Sequence, residues 1–239
     1  MNTQSKTLYL LTSLVIALAA AYYIFSPSDK DLYNKHWKNG YDYSDSGEWE
    51  KAAAEFTLAI KYYPHLPGNY GSYVNRANAY SMLGDLDKSL SDYNKVLDSF
   101  SGKTDVRLGE VYFNRGEAYN RNGKPDLAIF DYEKAISIDD KIEDAHNKLA
   151  WKMATSPIQI IRNGKKAVAY AMTACKRTDF KRPGYLDTLS AAHAENGDFL
   201  NAIKYQEMAI ALLTDADKIK DYTTRLELYK VNKPFRASK

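Results

Sequence analysis

The chain has 239 residues, of which 45% are hydrophobic and 26% are charged. This balance is typical of a folded protein and excludes an intrinsically disordered chain. The net charge is +3, but basic residues near the two ends supply the excess, so residues 7–229 carry about −2 and nucleic acid is not an expected partner. The lone cysteine, Cys175, excludes an intramolecular disulfide.

After a short N-terminal tail (residues 1–7), the first segment is an uncharged and mostly apolar run from Leu8 to Phe25. At about 1.5 Å per helical residue the run reaches about 27 Å, which is close to the thickness of a bilayer core. We therefore predict one transmembrane helix that anchors the chain. Ala19 to Ala21 resembles a signal-peptidase site, so a cleaved signal peptide is the alternative.

The orientation of this segment is left open by its flanking charges. Lys6 lies directly before the apolar run, which is typical of an export signal and favours an N-terminus inside the cytoplasm. Lys30, Lys35 and Lys38 follow the run and favour the opposite orientation. We expect the rest of the chain to lie outside the cytoplasm, and a cytoplasmic location is the alternative.

A linker (residues 26–32) leads into a region with an internal repeat. Glycines typical of turns recur at Gly47, Gly84, Gly123 and Gly197, with separations of 37, 39 and 74 residues. A small residue follows the same period at Ala52, Ser89, Ala128, Ala167 and Ala202. This periodicity predicts five helix pairs, near residues 33–66, 70–103, 109–142, 143–180 and 183–214.

Each predicted pair consists of two amphipathic helices joined by a tight turn. In the third repeat, Tyr112, Gly116 and Tyr119 share one helical face, and Ala128 and Tyr132 share a face of the next helix. Such a pair leaves apolar surface uncovered unless another pair stacks on it. Residues 215–230 have apolar residues at helical spacing with charged residues between them, which predicts a capping helix. We interpret the basic tail after it (residues 231–239) as a solvated terminus, and contact with an anionic membrane surface is the alternative.

The order of large, small and aromatic positions resembles the tetratricopeptide repeat, over about residues 33 to 212. The resemblance implies an all-α fold, a right-handed superhelical solenoid of about five helix pairs with a C-terminal capping helix. The fourth repeat departs from the pattern and resembles a variant found in bacterial members, in which the turn is longer. There Pro157 is predicted to end one helix, and Asn163 or Gly164 to begin the next.

No catalytic or metal-ligating constellation is predicted. Gly102, Lys103 and Thr104 match the end of a phosphate-binding loop, but the glycine that this loop requires five residues earlier is Leu97. The four histidines lie in different repeats, and none has a second ligand at helical spacing. His193 occupies the packing position of Tyr80 and Tyr119. We therefore expect no enzyme activity, cofactor, metal or small-molecule substrate.

Positions rotated by about 100° from the packing stripe of each first helix form a second stripe. In a tetratricopeptide superhelix this stripe lines the concave groove, and aromatic anchors among polar groups are typical of a surface that binds a peptide or helix. The alternative for each aromatic residue is that it packs between repeats. The predicted groove residues are Trp37, Tyr41, Asn78, Phe113, Glu117, Asn120 and Trp151.

The sequence thus predicts a scaffold or adaptor of the bacterial cell envelope, anchored in the inner (cell) membrane with its repeats in the periplasm. The expected partners are a protein or peptide, held in the groove, and the membrane, reached through the N-terminal segment. Release into the periplasm after signal cleavage is the alternative location. A chaperone for unfolded clients and an accessory subunit of a membrane enzyme are the alternative functions.

Overall fold

A computed structural model describes residues 28–103 and 105–237. The described residues divide into two compact units, one up to Leu83 (unit 1) and one from Gly84 onward (unit 2). Within the described residues, all regular secondary structure is helical, with eleven α-helices and one short 3-10 helix. The prediction of eleven helices from the first repeat to the capping helix is confirmed within the described residues.

Unit 1 contains three described helices, α1 (Asp29–Asp45), α2 (Trp49–Tyr62) and α3 (Tyr70–Met82). The first begins with a capping box, since the Ser28 hydroxyl accepts a bond from the Asp31 backbone and the Asp31 side chain accepts one from the Ser28 backbone. Helix α1 packs on α2, and α2 packs on α3. Ala52 and Phe56 of α2 are completely buried in this unit.

Unit 2 contains the remaining helices, and each one packs on the next along the chain. Helices α7 (Glu143–Thr155) and α9 (Pro183–Glu195) also pack on each other, so these two alternate helices are neighbours, as in stacked helix pairs. The helices are α4 (Leu86–Ser99), α5 (Arg107–Arg121), α6 (Pro125–Ile138), α7 (Glu143–Thr155), α8 (Gly164–Arg177), α9 (Pro183–Glu195), α10 (Phe199–Ala211) and α11 (Ala216–Lys230). The repeat predicted over residues 70–103 contributes α3 to unit 1 and α4 to unit 2.

The predicted turn glycines adopt the backbone conformation that ends a helix. Gly123 has φ of +67°, and the N–H of Lys124 donates to the Tyr119 carbonyl at 3.0 Å. This pattern is a Schellman motif, in which a residue with positive φ closes the last helical turn. It reverses the chain in a few residues, so that α6 can pack back on α5.

Close packing in each unit depends on a large ring opposite a residue with no side chain. A Cβ atom added to Gly116 of α5 would lie 2.8 Å from Cε1 of Tyr132 on α6. Gly40 and Phe56 have the same relationship in unit 1, also at 2.8 Å. The repeat therefore preserves a small-to-large contact between the two helices of a pair.

The fourth repeat has the predicted longer connection. Helix α7 ends at Thr155, before Pro157, and a 3-10 helix spans Gln159–Ile161. Asn163 then caps α8, since its side chain accepts a hydrogen bond from the Lys166 backbone N–H. Both predicted boundaries are confirmed.

No helix within residues 28–103 and 105–237 is long and apolar enough to cross a membrane. The anchor predicted over Leu8 to Phe25 lies outside the described residues. Thr104, the last residue of the rejected match to a phosphate-binding loop, also lies outside them.

Candidate partner-binding surface

Two aromatic residues of α1 form an exposed stack in unit 1, which we call the aromatic pair. The ring centroids of Trp37 and Tyr41 lie 5.9 Å apart, with an angle of 15° between the ring planes. Trp37 is 37% exposed and Tyr41 is 56% exposed. One turn of helix separates them, so the regular backbone of α1 aligns the two rings.

The aromatic pair lies next to the beginning of α3. The indole Nε1 of Trp37 is 3.9 Å from the position that a Cβ atom on Gly71 would occupy, which is an ordinary van der Waals distance. Asn78, a predicted groove residue, is half-buried about two turns further along α3. Unit 1 therefore places exposed rings beside a helix with polar side chains, a combination suited to holding a peptide.

In unit 2, by contrast, the predicted groove residues contact other parts of the chain. The ring of Phe113 lies 6.0 Å from that of Tyr132 and is half-buried. The Glu117 carboxylate accepts a hydrogen bond from the Tyr132 hydroxyl and forms an ion pair with Lys148 Nζ at 2.9 Å. Glu117 therefore connects α5 with both α6 and α7. Asn120 is half-buried and is the residue before the last in α5.

Trp151 of α7 is covered by residues from the C-terminal end of the chain. The guanidinium of Arg225, on α11, lies 5.8 Å from the Trp151 ring centroid. Phe235 follows α11 and lies 5.9 Å from Trp151, centroid to centroid. Arg225 also lies 5.3 Å from the Phe235 ring, so the guanidinium is in range of a cation–π interaction with both rings.

Arg225 is held in place by a buried carboxylate. Its Nε donates to Asp187 Oδ1 of α9 at 2.8 Å, and both side chains are 7% exposed. Gln206 of α10 donates to the same oxygen at 2.8 Å. Burial raises the pKa of Asp187, and Arg225 and Gln206 oppose that shift. These bonds connect α9, α10 and α11.

The segment after α11 folds back onto α7 and α9. The backbone N–H of Ala237 donates to the Thr155 carbonyl at 2.9 Å, and Arg236 forms an ion pair with Glu195 at 2.6 Å. Residues 234–237 are half-buried. The interpretation of the tail as a solvated terminus is therefore wrong for these residues. The reason is that Phe235 and Arg236 have partners in the tertiary structure.

Sequence reasoning missed Arg225, Phe235 and Arg236 as parts of this surface. One signal was present, since Phe235 is a large aromatic residue in an otherwise polar and basic segment. A large apolar ring is not expected in a fully solvated tail. The positions of Arg225 and Glu195 gave no comparable signal, because charged residues are expected on every exposed helical face.

Comparison with known proteins agrees with this architecture. Residues 70–141 match a family model described as tetratricopeptide repeat. A search of curated proteins finds no match.

Solved structures of tetratricopeptide proteins resemble the chain in fold. A tetratricopeptide repeat protein from Parabacteroides merdae aligns with a TM-score of 0.64 and 15% identity, covering 84% of this chain and 74% of that one. A thermophilic protein of the same kind from Thermus thermophilus has a TM-score of 0.57 and 17% identity, with coverages of 83% and 99%. YrrB, described as having an unusual peptide-binding site, has a TM-score of 0.57 and 14% identity, with coverages of 87% and 98%. Residues 70–141 therefore match the tetratricopeptide repeat in sequence, and the chain resembles solved tetratricopeptide proteins in fold over most of its length.

Proposed function

We propose that this protein is a membrane-anchored scaffold of the cell envelope that binds a peptide or helix of a partner protein. The tetratricopeptide fold is that of an interaction module. The observation that carries the proposal is the aromatic pair, because Trp37 and Tyr41 form a stacked and exposed surface on α1. Aromatic side chains supply much of the binding energy at protein interfaces, since they bury a large apolar area with few rotatable bonds.

The anchor in this proposal is the apolar run from Leu8 to Phe25. Only a few residues separate this run from the beginning of α1 at Asp29. An embedded anchor would keep unit 1, with its aromatic pair, within a short distance of the bilayer. The partner would then be another envelope protein, and the repeats would lie on the periplasmic side.

The binding role is tested by substituting the aromatic pair. A photo-crosslinking amino acid at Lys38, next to Trp37, should join the full chain to one dominant partner in native membranes. Changing Trp37 and Tyr41 together to Ala should abolish that product, at about 1 to 4 kcal/mol of binding for each ring. Phe130 of α6 is 52% exposed and belongs to a second helix of a pair, so Phe130→Ala is the matched control.

Two results would contradict the scaffold. Retention of the crosslinked product in the double variant would show that the aromatic pair is not the binding surface. Many products of different mass, together with suppression of aggregation of a model client, would indicate a chaperone instead.

The membrane role has its own test. The protein should stay with membranes after washing in high salt and alkaline carbonate, and detergent should release it. Intact-mass measurement then decides between an uncleaved anchor and a signal peptide, because cleavage near Ala21 would remove about 2 kDa.

A further inference from the structure

The tail-binding surface of unit 2 has the construction of a peptide-binding site. We define it as the surface of α7, α9 and α11 on which Phe235 and Arg236 lie. Phe235 packs against Trp151 and beside a buried cluster that includes Ala194 and Tyr229. The bound segment thus inserts one aromatic side chain among apolar and aromatic neighbours.

The surface also carries a position for a basic residue. The Glu195 side chain, 14% exposed, pairs with Arg236 Nη2 at 2.6 Å and with Arg162 Nε at 3.1 Å. Arg162 also donates to the Ser156 carbonyl at 2.9 Å, which fixes its guanidinium. Glu195 is therefore oriented by a neighbour that does not belong to the tail.

The end of α7 supplies the third element. Thr155 is the last residue of α7, and its carbonyl accepts the bond from Ala237. The last four carbonyls of a helix have no partner within the helix, and they carry the negative end of its dipole. A peptide that crosses this end can satisfy such a carbonyl while its basic side chain lies in a favourable field.

We propose that the tail-binding surface is a recognition site for peptide segments in which an aromatic residue is followed directly by an arginine or lysine, and that Phe235 and Arg236 are its resident occupant. The chain's own tail shows the chemistry of the partner. A partner protein with such a segment displaces the tail and takes its place. The proposal goes beyond the scaffold role, because it rests on unit 2 and needs neither the aromatic pair nor the anchor.

The tail can be displaced without unfolding the helices. Residues 231–233 are exposed, and residues 234–237 make one backbone–backbone hydrogen bond to α7. A segment with so few bonds opens at a much lower free energy than the helical core. A short covalent connection nevertheless gives the tail an effective concentration on the order of millimolar, so that only a strong or abundant partner competes with it.

The first experiment supplies the tail as a separate molecule. A fluorescein-labelled peptide of residues 231–239 is titrated into the detergent-solubilised full chain and into a variant that ends at Asn232. We expect the shortened variant to bind the peptide at least tenfold more tightly, because its surface is free. A peptide with Ala in place of Phe235 and Glu in place of Arg236 should not bind measurably.

Site variants in the shortened chain then locate the binding. Glu195→Gln removes the carboxylate that pairs with Arg236 and should weaken the peptide at least tenfold. Glu227→Gln is the matched control, since Glu227 is an exposed residue of α11 that pairs with Lys230. It should leave the affinity unchanged.

A full-length variant tests the proposal even if the shortened chain does not fold correctly. Arg236→Glu keeps the chain length and places two carboxylates together, so it should open the surface and increase peptide binding. The proposal is overturned if the shortened chain melts like the full chain yet binds the peptide no better than the full chain does. It is also overturned if the peptide with Ala in place of Phe235 and Glu in place of Arg236 binds as well as the unchanged peptide. Neither result depends on the aromatic pair or on crosslinking at Lys38, so this proposal and the scaffold role fail separately.

Discussion

Arg225 of α11 and Asp187 of α9 form a buried ion pair, with 2.8 Å between Nε and Oδ1. Asp187 is 5% exposed. The cation that pairs with it, Arg225, belongs to a helix that follows the last predicted repeat. Helix α11 therefore does more than cover apolar surface, because it neutralises a charge buried in α9. Its loss would leave Asp187 without a counter-charge.

The first prediction concerns this pair. Changing Arg225 to Ala should lower the free energy of unfolding by about 3 to 5 kcal/mol, because an uncompensated carboxylate remains buried. Arg225→Lys should recover only part of that loss, since an ammonium group cannot reproduce the planar contacts of the guanidinium with Trp151 and Tyr222. Urea unfolding monitored by circular dichroism measures both variants.

The control for this measurement is Glu227→Ala on the same helix. Glu227 is 61% exposed at its side chain and pairs with Lys230, so its removal should change stability by no more than about 0.5 kcal/mol. Equal losses in the Arg225 and Glu227 variants would show that the buried pair has no special role.

The second prediction concerns the small-to-large contact in unit 2. Gly116→Ala places a methyl group 2.8 Å from Tyr132 Cε1 and should destabilise the fold by about 1 to 3 kcal/mol through overpacking. Gly184→Ala is the matched control, because its methyl group would meet nothing nearer than the Tyr222 hydroxyl at 3.8 Å. That change should be neutral or stabilise by up to about 1 kcal/mol, since Ala restricts the unfolded chain. A neutral Gly116→Ala variant would contradict the packing argument.

The third prediction separates exposed from packed groove residues by thermal unfolding. Tyr41→Ala should cost no more than about 1 kcal/mol of stability, because the ring is 56% exposed and stacks on the exposed Trp37. Phe113→Ala should cost about 2 kcal/mol, since that ring is half-buried against Tyr132. A larger loss of stability for Tyr41→Ala than for Phe113→Ala would contradict the assignment of Tyr41 as exposed and Phe113 as packed.

The fourth prediction concerns pH. Burial and, more weakly, Arg177 lower the pKa of His146, while the Asp140 carbonyl, 2.8 Å from Nε2, opposes the shift. An unfolded histidine has a pKa of about 6.5, so below that pH the unfolded chain binds a proton that the folded chain does not. The melting temperature should therefore fall as the pH is lowered from 7.5 to 5.5. Burial lowers the pKa of His193 as well, which adds to the effect.

A variant isolates the histidine contribution. His146→Phe cannot bind a proton and keeps a ring beside Tyr170, whose centroid is 5.7 Å from that of His146. Its melting temperature should depend less on pH than that of the parent chain. Parallel curves for the two proteins would rule out His146 as a source of the pH dependence.

The helices and their boundaries could be predicted from the sequence because local rules determine them. Apolar residues at helical spacing define each helix, and a glycine such as Gly123 with φ of +67° defines the turn that follows it. Pro157 and Asn163 bound the irregular connection for the same reason, since each acts on its own neighbours along the chain. These features need no knowledge of distant residues.

Whether each predicted groove residue is exposed or packed could not be derived in this way. Periodicity places Tyr41 and Trp151 on equivalent helical faces, yet Tyr41 is exposed and Trp151 lies beneath Phe235. The difference depends on a C-terminal segment that returns to α7 and on a carboxylate, Glu195, that pairs with Arg236. The sequence by itself determined the repeats, while only the tertiary structure decided which aromatic residues are exposed, because exposure depends on contacts between residues far apart in the chain.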